Sequence, residues 1–228
     1  MTTDVSRTWD AQAERYDRAY ESWSRGGRAL RSRHALVLQL LGDPPNLAAR
    51  PAELLDVGMG PGRVLAELAA RGWRVWGVDV SERMVALARQ RLPGERERLL
   101  RASLERLPFA DASFDAVVAT GILGYAGYSE GNIARLARVL RPGGIAVLSL
   151  GKRWSLSRLW RHGFAYPAAR GVKGIVPFGR PAPLRRPWPP GRRSFERMLD
   201  AAGLRMESVQ RARQGQRVYS ARRARPSS

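Results

Sequence analysis

The sequence predicts an α/β fold with a doubly wound, mostly parallel sheet. Runs of strand length that are apolar on both faces alternate with segments of helical periodicity, and a glycine-rich turn follows the first of these runs. The chain has 228 residues, of which 44% are hydrophobic and 26% are charged, the balance of an ordinary globular domain. We therefore expect a central sheet that is covered by helices on both sides.

The composition excludes several kinds of site. The chain has no cysteine, so it cannot form disulfides, thiolate nucleophiles or cysteine-ligated metal clusters. Its two histidines, His34 and His162, are too few for a multi-histidine centre, and we expect no metal. The N-terminal residues lack the apolar stretch of a secretory signal, and no apolar run reaches the length of a membrane span. These features favour a cytoplasmic protein.

Residues 1–45 are expected to form a helical cap. Five apolar or aromatic residues recur at spacings of three and four, which places them on one face of a helix: Trp9, Ala13, Tyr16, Tyr20 and Trp23. The pair Gly26-Gly27 is expected to separate this helix from a second one, whose apolar residues run from Leu30 to Leu41.

Residues 46–150 are expected to form the α/β core. Five strands are predicted at residues 53–57, 74–78, 99–102, 114–120 and 145–150. Three helices are predicted at residues 63–71, 82–91 and 130–140, and Ser81 is suited to cap the second of them.

Residues 194–220 are expected to close the fold. A helix is predicted over residues 194–202, with Ser194 as its N-cap, and a pair of strands over residues 204–209 and 217–220. This pair brings the predicted sheet to seven strands. Residues 221–228 are expected to be a disordered tail.

Residues 151–193 interrupt the alternation and are expected to form an inserted cap. They contain seven prolines, six aromatic residues and eleven Arg or Lys residues, but no Asp or Glu. The net charge of +20 is therefore localised, which indicates an anionic partner or substrate. Three interpretations remain open: an insert over the substrate site, an element that contacts an anionic membrane surface, and an RNA-binding segment.

The glycine turn predicts a nucleoside site. Gly58, Gly60 and Gly62 follow the first strand and precede a helix. Glycine lets the backbone bend sharply and approach a ligand, and the N-terminus of the helix suits an anionic group. Asp79 ends the next strand, where a carboxylate can accept hydrogen bonds from two ribose hydroxyls.

Four segments, in order along the chain, resemble class I S-adenosylmethionine-dependent methyltransferases. Residues 54–62, LLDVGMGPG, look like motif I of that class. Three further segments resemble the ubiquinone/menaquinone-biosynthesis-like branch of methyltransferase type 11: LPFADASFD at 107–115, RVLRPGG at 138–144 and SFERMLDAAGL at 194–204. The resemblance implies a Rossmann-like methyltransferase sheet and S-adenosylmethionine as the cofactor.

The resemblance also implies which residues hold the cofactor. Asp56 would help to orient its amino group, Asp79 would hold the ribose hydroxyls, and the backbone of Thr120 would face the amine. Ser103 stands where the family usually has Asp, which weakens the expected contact with the adenine amine. The remaining implied positions are a tyrosine of the N-terminal cap, the turn glycines and residues beside the adenine: Tyr16, Gly58, Gly60, Gly62, Val80, Met84 and Leu104.

Three residues are candidates for contact with the methyl acceptor: Tyr16, Tyr125 and His162. Tyr125 follows the fourth strand, where ligands of open α/β sheets bind, and His162 lies in the basic insert. His34 and Asp115 are expected to be structural.

The predicted function is methyl transfer from S-adenosylmethionine to an O, N or C nucleophile of a small acceptor, and the charge leaves open an anionic or lipid-like one. One alternative is a phospholipid or quinone-precursor methyltransferase that works at the membrane surface. The others are an RNA methyltransferase and a nucleoside-binding protein without catalysis.

Overall fold

A seven-stranded mixed sheet forms the centre of the part of the chain that the structure describes. The computed structural model describes residues 2–151 and 189–225. The strand order is β3-β2-β1-β4-β5-β7-β6, in which β1 to β5 are parallel and β7 is antiparallel to both of its neighbours. The strands are β1 (Glu53–Val57), β2 (Arg74–Asp79), β3 (Leu99–Arg101), β4 (Phe114–Ala119), β5 (Leu140–Leu150), β6 (Leu204–Arg211) and β7 (Arg217–Arg223). The predicted fold class is confirmed.

Helices pack on both faces of this sheet. The described helices are α1 (Thr2–Asp10), α2 (Ala13–Ala19), α3 (Arg25–Leu41), α4 (Arg63–Ala70), α5 (Glu82–Arg91), α6 (Leu123–Ala126), α7 (Glu130–Val139) and α8 (Arg192–Ala201). Short 3-10 helices at Pro93–Arg98 and Arg213–Gly215 were not predicted. No helix in residues 2–151 or 189–225 is long and apolar enough to cross a bilayer.

The core has two halves, one on each face of the sheet. Neighbouring residues of β1 show the division, since Leu54 packs with α3, α4 and α5 while Leu55 packs with α7 and α8. Both leucines are fully buried. Alternate side chains of a strand point to opposite faces, so an uninterrupted apolar run is what a sheet covered on both faces requires.

The strand order reverses between β1 and β4. Both strands run parallel, and the segments that follow their carboxyl ends diverge at this point. In open α/β sheets this reversal leaves a crevice in which ligands bind. The glycine turn after β1 and the segment after β4 form its two sides.

The N-terminal cap differs from the prediction. The single helix expected over Trp9 to Trp23 is two helices, α1 and α2, and Trp23 is 83% exposed after the second of them. Gly26 and Gly27 lie inside the first turn of α3, where the backbone N–H of Gly27 donates to the Oγ of Ser24 at 3.1 Å. A Cβ on Gly27 would lie 2.3 Å from the carbonyl oxygen of Ser22, so this glycine allows a close approach and does not break the helix.

Three predicted element boundaries in the C-terminal half of the chain also differ from those in the structure. The last helix begins at Arg192 after the N-cap Gly191, so Ser194 is inside it. β5 begins at Leu140 and includes the RPGG segment, with an irregularity in its register against β4. β7 extends to Arg223, so residues 221–223 belong to the sheet and not to a disordered tail. Most of the predicted insert, residues 152–188, lies outside the described residues.

Asp115 has a structural position at the amino end of the sheet. Its Oδ1 accepts from Arg50 at 2.6 Å, and its Oδ2 accepts from Arg141 at 3.0 Å and from the backbone N–H of Glu53 at 2.9 Å. Burial by itself raises the pKa of Asp115, but the hydrogen bonds from Arg50 and Glu53 hold it below its usual value. The carboxylate therefore joins β4 to β1 and β5, away from the crevice.

Candidate active site

The turn after β1 is shaped by glycines in left-handed conformations. Gly58 has φ +77°, and a Cβ there would lie 1.9 Å from the Cγ2 of Ile122. Gly62 has φ +74° and caps α4, and a Cβ there would lie 3.0 Å from the Cβ of Ala88. Gly60, with φ +55°, meets only the ring of Tyr16 at 3.7 Å and Met84 at 4.0 Å. The turn therefore packs tightly on both flanks and is open at its tip.

Asp79 is hydrogen-bonded to this turn. Its Oδ2 accepts from the backbone N–H of Gly60 at 3.0 Å, and its Oδ1 accepts from that of Ser81 at 2.9 Å. Burial raises the pKa of Asp79, and hydrogen bonds from backbone N–H groups, first those of Ser81 and Gly60, oppose that rise. Because each carboxylate oxygen has a second lone pair, the group can still accept two hydrogen bonds from a ligand.

A cavity of about 280 Å³ opens at the crevice between β1 and β4. Of the residues predicted from the sequence, nine line it: Tyr16, Gly58, Gly60, Asp79, Val80, Met84, Leu104, Thr120 and Tyr125. The structure thus brings together residues that are more than a hundred positions apart in the chain.

Three other predicted residues lie elsewhere. Asp56 is 3% exposed and sits behind the turn, and Gly62 faces α5. Ser103 lines a separate, more open depression together with Asp10 and Arg101. His162 lies outside the described residues.

Asp56 is a buried acid beside a second buried acid. Burial and the charge of Asp79 raise its pKa to about 7, while the charge of Arg33 acts in the opposite direction. Asp56 therefore holds its proton more readily than an ordinary aspartate, and it does not line the cavity.

Aromatic side chains form a roof over the cavity. Trp9 of α1 packs edge-on against Tyr16 of α2 and against Tyr125 of α6, with 5.3 Å between ring centroids in both pairs. Pairs of this geometry add favourable contact beyond the area that they bury. The roof therefore connects the N-terminal cap to the segment after β4.

Polar contacts hold the N-terminal cap to the core. Asp10 accepts from the Oγ of Ser81 at 2.6 Å and from the backbone N–H of Arg83 at 3.1 Å, at the start of α5. Asp17 of α2 pairs with Arg63 at 2.6 Å and with Arg91 at 2.9 Å. Acidic groups near the start of a helix are stabilised by its dipole, which fixes α1 on α5.

Arg33 is a cavity residue that the sequence did not indicate. Its side chain is buried, its Nη2 donates to the hydroxyl of Tyr16 at 3.1 Å, and its Nη1 lies against Gly121 after β4. No Asp or Glu in the described part of the chain is within ion-pair distance of its guanidinium. The buried carboxyl of Asp56 acts on this guanidinium only at longer range. Since a buried cation without a direct ion pair is costly, the cavity is suited to an anionic group at this point.

His34, next along α3, faces away from the cavity. Its Nε2 lies 3.3 Å from the Oε1 of Glu67, and its ring packs edge-on against Tyr20. Burial lowers the pKa of His34, and Glu67 opposes that shift. The expected packing role agrees with this position.

Comparisons with known proteins agree with this geometry. Residues 55–148 match the family described as methyltransferase domain. The chain is 35% identical over 147 residues to a demethylmenaquinone methyltransferase of Beutenbergia cavernae, which covers 64% of this chain and 57% of that protein. The chain thus spans less than two thirds of the length of curated relatives of this kind.

Solved structures share the fold at low identity. The [4+2]-cyclase SpnF superposes with a TM-score of 0.68 at 18% identity, over 97% of this chain and 95% of its own. Magnesium protoporphyrin IX methyltransferase from Synechocystis, with bound S-adenosylhomocysteine, superposes with a TM-score of 0.67 at 18% identity, over 98% of this chain and all of its own.

Proposed function

We propose, from the class I S-adenosylmethionine-dependent methyltransferase domain that this chain carries, that the protein methylates a small acceptor of the quinone-precursor type. The observation that carries this proposal is the carboxylate of Asp79, which is held under the tip of the glycine turn with two acceptor positions left for ribose hydroxyls.

The residues around the turn fit the nucleoside half of S-adenosylmethionine. Asp79 would hold the ribose, Val80 and Met84 would flank the adenine, and the ligand would pass the open tip at Gly60. A side chain at Gly60 would point toward Tyr16 and would fill part of the space that the ligand needs.

The residues near β4 fit the amino-acid half. Arg33 would pair with the carboxylate, which satisfies its buried guanidinium, and the carbonyl of Thr120 would accept from the amine. Asp56 lies behind the turn, where an ammonium group nearby would favour its ionised form.

The bound cofactor supplies a sulfonium methyl group, which is electrophilic without further activation. The protein then has to align the acceptor with the methyl–sulfur bond and exclude water, which contributes on the order of 7–11 kcal/mol. The roof of Trp9, Tyr16 and Tyr125 encloses the cavity. Within the described residues, the cavity is lined by no His, and its acidic residues are Asp79 and Glu105.

Two observations support a quinone-type acceptor: the activity named for a relative, and the side chains that line the cavity. A relative at 35% identity is a demethylmenaquinone methyltransferase. The acceptor end is lined by apolar and aromatic side chains that suit a planar ring, Leu30, Ile122, Tyr125 and Tyr128.

A lipid-like acceptor implies contact with a membrane surface, which Trp23 supports. It is the exposed large hydrophobic residue of the described chain, and the guanidinium of Arg31 lies 5.6 Å from its ring. Arg28 donates to its backbone carbonyl. Tryptophan beside arginine suits an interface with anionic lipid headgroups.

The direct test is transfer of labelled methyl from S-adenosylmethionine to a short-chain demethylmenaquinol, with the product identified by mass spectrometry. Transfer supports the proposal. Binding of S-adenosylhomocysteine without transfer to this acceptor or to RNA would favour the non-catalytic alternative. Transfer to RNA would favour the RNA methyltransferase.

A further inference from the structure

The turn between β6 and β7 lies at the same edge of the sheet as the cavity. β7 is antiparallel to β5, so Arg217 at the start of β7 is opposite the last residue of β5. The turn also packs on α3, where the backbone N–H of Arg213 donates to the Oγ of Ser32 at 3.0 Å. Gln216 of the turn and Leu30 of α3 both line the cavity. One end of the cavity is therefore bordered by the β6–β7 turn and by the first half of α3.

Three arginines of this turn lack an acidic partner. Arg211 and Arg217 are directly opposite each other in the ladder between β6 and β7, and Arg213 lies in the turn between them. No Asp or Glu of the described chain forms an ion pair with any of the three, and Glu207 of β6 pairs with another arginine of β7. Residues 152–188 contain no Asp or Glu in their sequence. Because like charges directly opposite each other destabilise an antiparallel pair, an anion at this turn would be favoured.

The exposed Trp23 lies at the same edge of the sheet. It comes just before α3, and Arg33 of this helix lies against Gly121, just after β4. The guanidinium of Arg31 is 5.6 Å from the centre of the Trp23 ring. The end of the cavity thus has cations on both sides, with an indole ring on the side of α3. Tryptophan and arginine together are typical of surfaces that meet anionic lipid headgroups.

An anionic membrane surface fits this arrangement because it presents many phosphates across a plane. It can contact the turn and the start of α3 at the same time, whereas a single small anion can neutralise only one of the two groups. Between the two groups lies an apolar wall of the cavity, to which Leu30 belongs.

We propose that residues 211–217 and residues 23–31 form one docking surface for anionic phospholipid headgroups, and that the cavity opens between them toward the bilayer. A lipid-soluble acceptor then passes from the bilayer into the cavity without crossing water. The inference rests on the proposed function. It adds to the contact of Trp23 a second contact, at the β6–β7 turn, and a direction from which the acceptor enters.

The test uses two matched variants that each remove two exposed arginines. Arg211→Gln/Arg213→Gln changes the turn. The control, Arg96→Gln/Arg205→Gln, changes the opposite edge of the sheet, before β3 and at the start of β6. The net charge falls equally in both, so only the position of the lost charge differs. Sedimentation of the full chain with phosphatidylglycerol vesicles measures lipid binding, and a parallel titration with oligouridine measures RNA binding.

The turn variant is expected to bind phosphatidylglycerol vesicles about tenfold to thirtyfold more weakly than the parent, since each cation near an anionic surface adds to binding. The control should lose about twofold or less, because charges far from the contact are screened. Equal losses in the two variants, or no loss in the turn variant, would overturn the docking surface. A turn variant that loses oligouridine binding but keeps vesicle binding would also overturn it and would assign these arginines to RNA.

Methyl transfer separates this inference from the proposed function. With a short-chain demethylmenaquinol in neutral detergent, the turn variant should match the parent. With the same acceptor in phosphatidylglycerol vesicles, its KM should rise about tenfold. If the parent transfers no methyl in detergent, the proposed function fails, and sedimentation still decides the docking surface. If the parent is active and the turn variant matches it on vesicles, the docking surface fails while the proposed function stands.

Discussion

The carboxylate of Asp79, at the end of β2, accepts a hydrogen bond from the backbone N–H of Gly60 in the turn after β1 at 3.0 Å. One oxygen of this group thereby fixes the tip of the glycine turn, while the other is fixed by the N–H of Ser81 at the start of α5. The turn and the acid are therefore a single unit, in which the shape of the backbone sets the direction of the carboxylate.

The close packing of Gly58 against Ile122 is tested by replacing Gly58 with alanine. The new Cβ would lie 1.9 Å from the Cγ2 of Ile122, and φ +77° disfavours any side chain, so Gly58→Ala should lower the free energy of unfolding by about 1–3 kcal/mol. Gly94→Ala is the control, since a Cβ there meets nothing within 4 Å. Urea unfolding compares the two variants, and equal stabilities would show that the turn tolerates a side chain.

The role of Arg33 is tested with two ligands that share the nucleoside. Arg33→Met should weaken S-adenosylhomocysteine about tenfold to a hundredfold, because a hydrogen bond to a charged group contributes about 1.5–3 kcal/mol. It should leave methylthioadenosine unchanged, since this ligand lacks the carboxylate. Arg28→Met, on the same helix and outside the cavity, is the control. Titration calorimetry that finds equal losses for both ligands would remove the assignment.

The raised pKa of Asp56 predicts how stability depends on pH. Its pKa is about 7 in the folded protein and near 3.8 in an unfolded chain, so folding is favoured by the bound proton at low pH. This contribution is complete below about pH 4 and is lost as the pH rises through 7. Relative to the parent, Asp56→Asn should therefore gain stability between pH 5 and pH 8. Urea unfolding at both pH values measures this gain, and equal stability differences at pH 5 and pH 8 would contradict it.

Contact with a membrane surface is tested by sedimentation with vesicles. The parent should pellet with phosphatidylglycerol vesicles at low salt and less at high salt, because charge attraction is screened. Trp23→Ala should reduce the bound fraction, since the exposed ring is lost. Phosphatidylcholine vesicles serve as the neutral control. A parent that stays in the supernatant at both salt concentrations would exclude this contact.

Local signals in the sequence predicted much of the fold. β1 and α5 have the predicted bounds, because a continuous apolar run and the N-cap Ser81 mark them locally. The pair Gly26-Gly27 predicts a helix break, whereas Gly27 is needed for a close approach to Ser22. That approach depends on how α2 and α3 pack, which a local pattern does not contain.

The residues of the candidate site that belong to a motif could be predicted from the sequence. The turn glycines and Asp79 stand out by their residue types and spacing. Arg33 does not, since it is one of many arginines and its burial depends on the contact of α3 with Tyr16 and Gly121. No sequence signal marks Gln216 either, because only the pairing of β7 with β5 brings it to the cavity.

The most direct measurement is titration calorimetry of S-adenosylhomocysteine with the parent and with Asp79→Ala. We expect a dissociation constant near micromolar for the parent, about −8 kcal/mol, and binding weaker by at least about a hundredfold for the variant, because two hydrogen bonds to a carboxylate are lost. Thermal unfolding of both proteins shows that the variant is folded. Equal affinities of the two proteins would contradict the role of Asp79. A parent that binds a nicotinamide dinucleotide in place of S-adenosylhomocysteine would contradict the proposed cofactor.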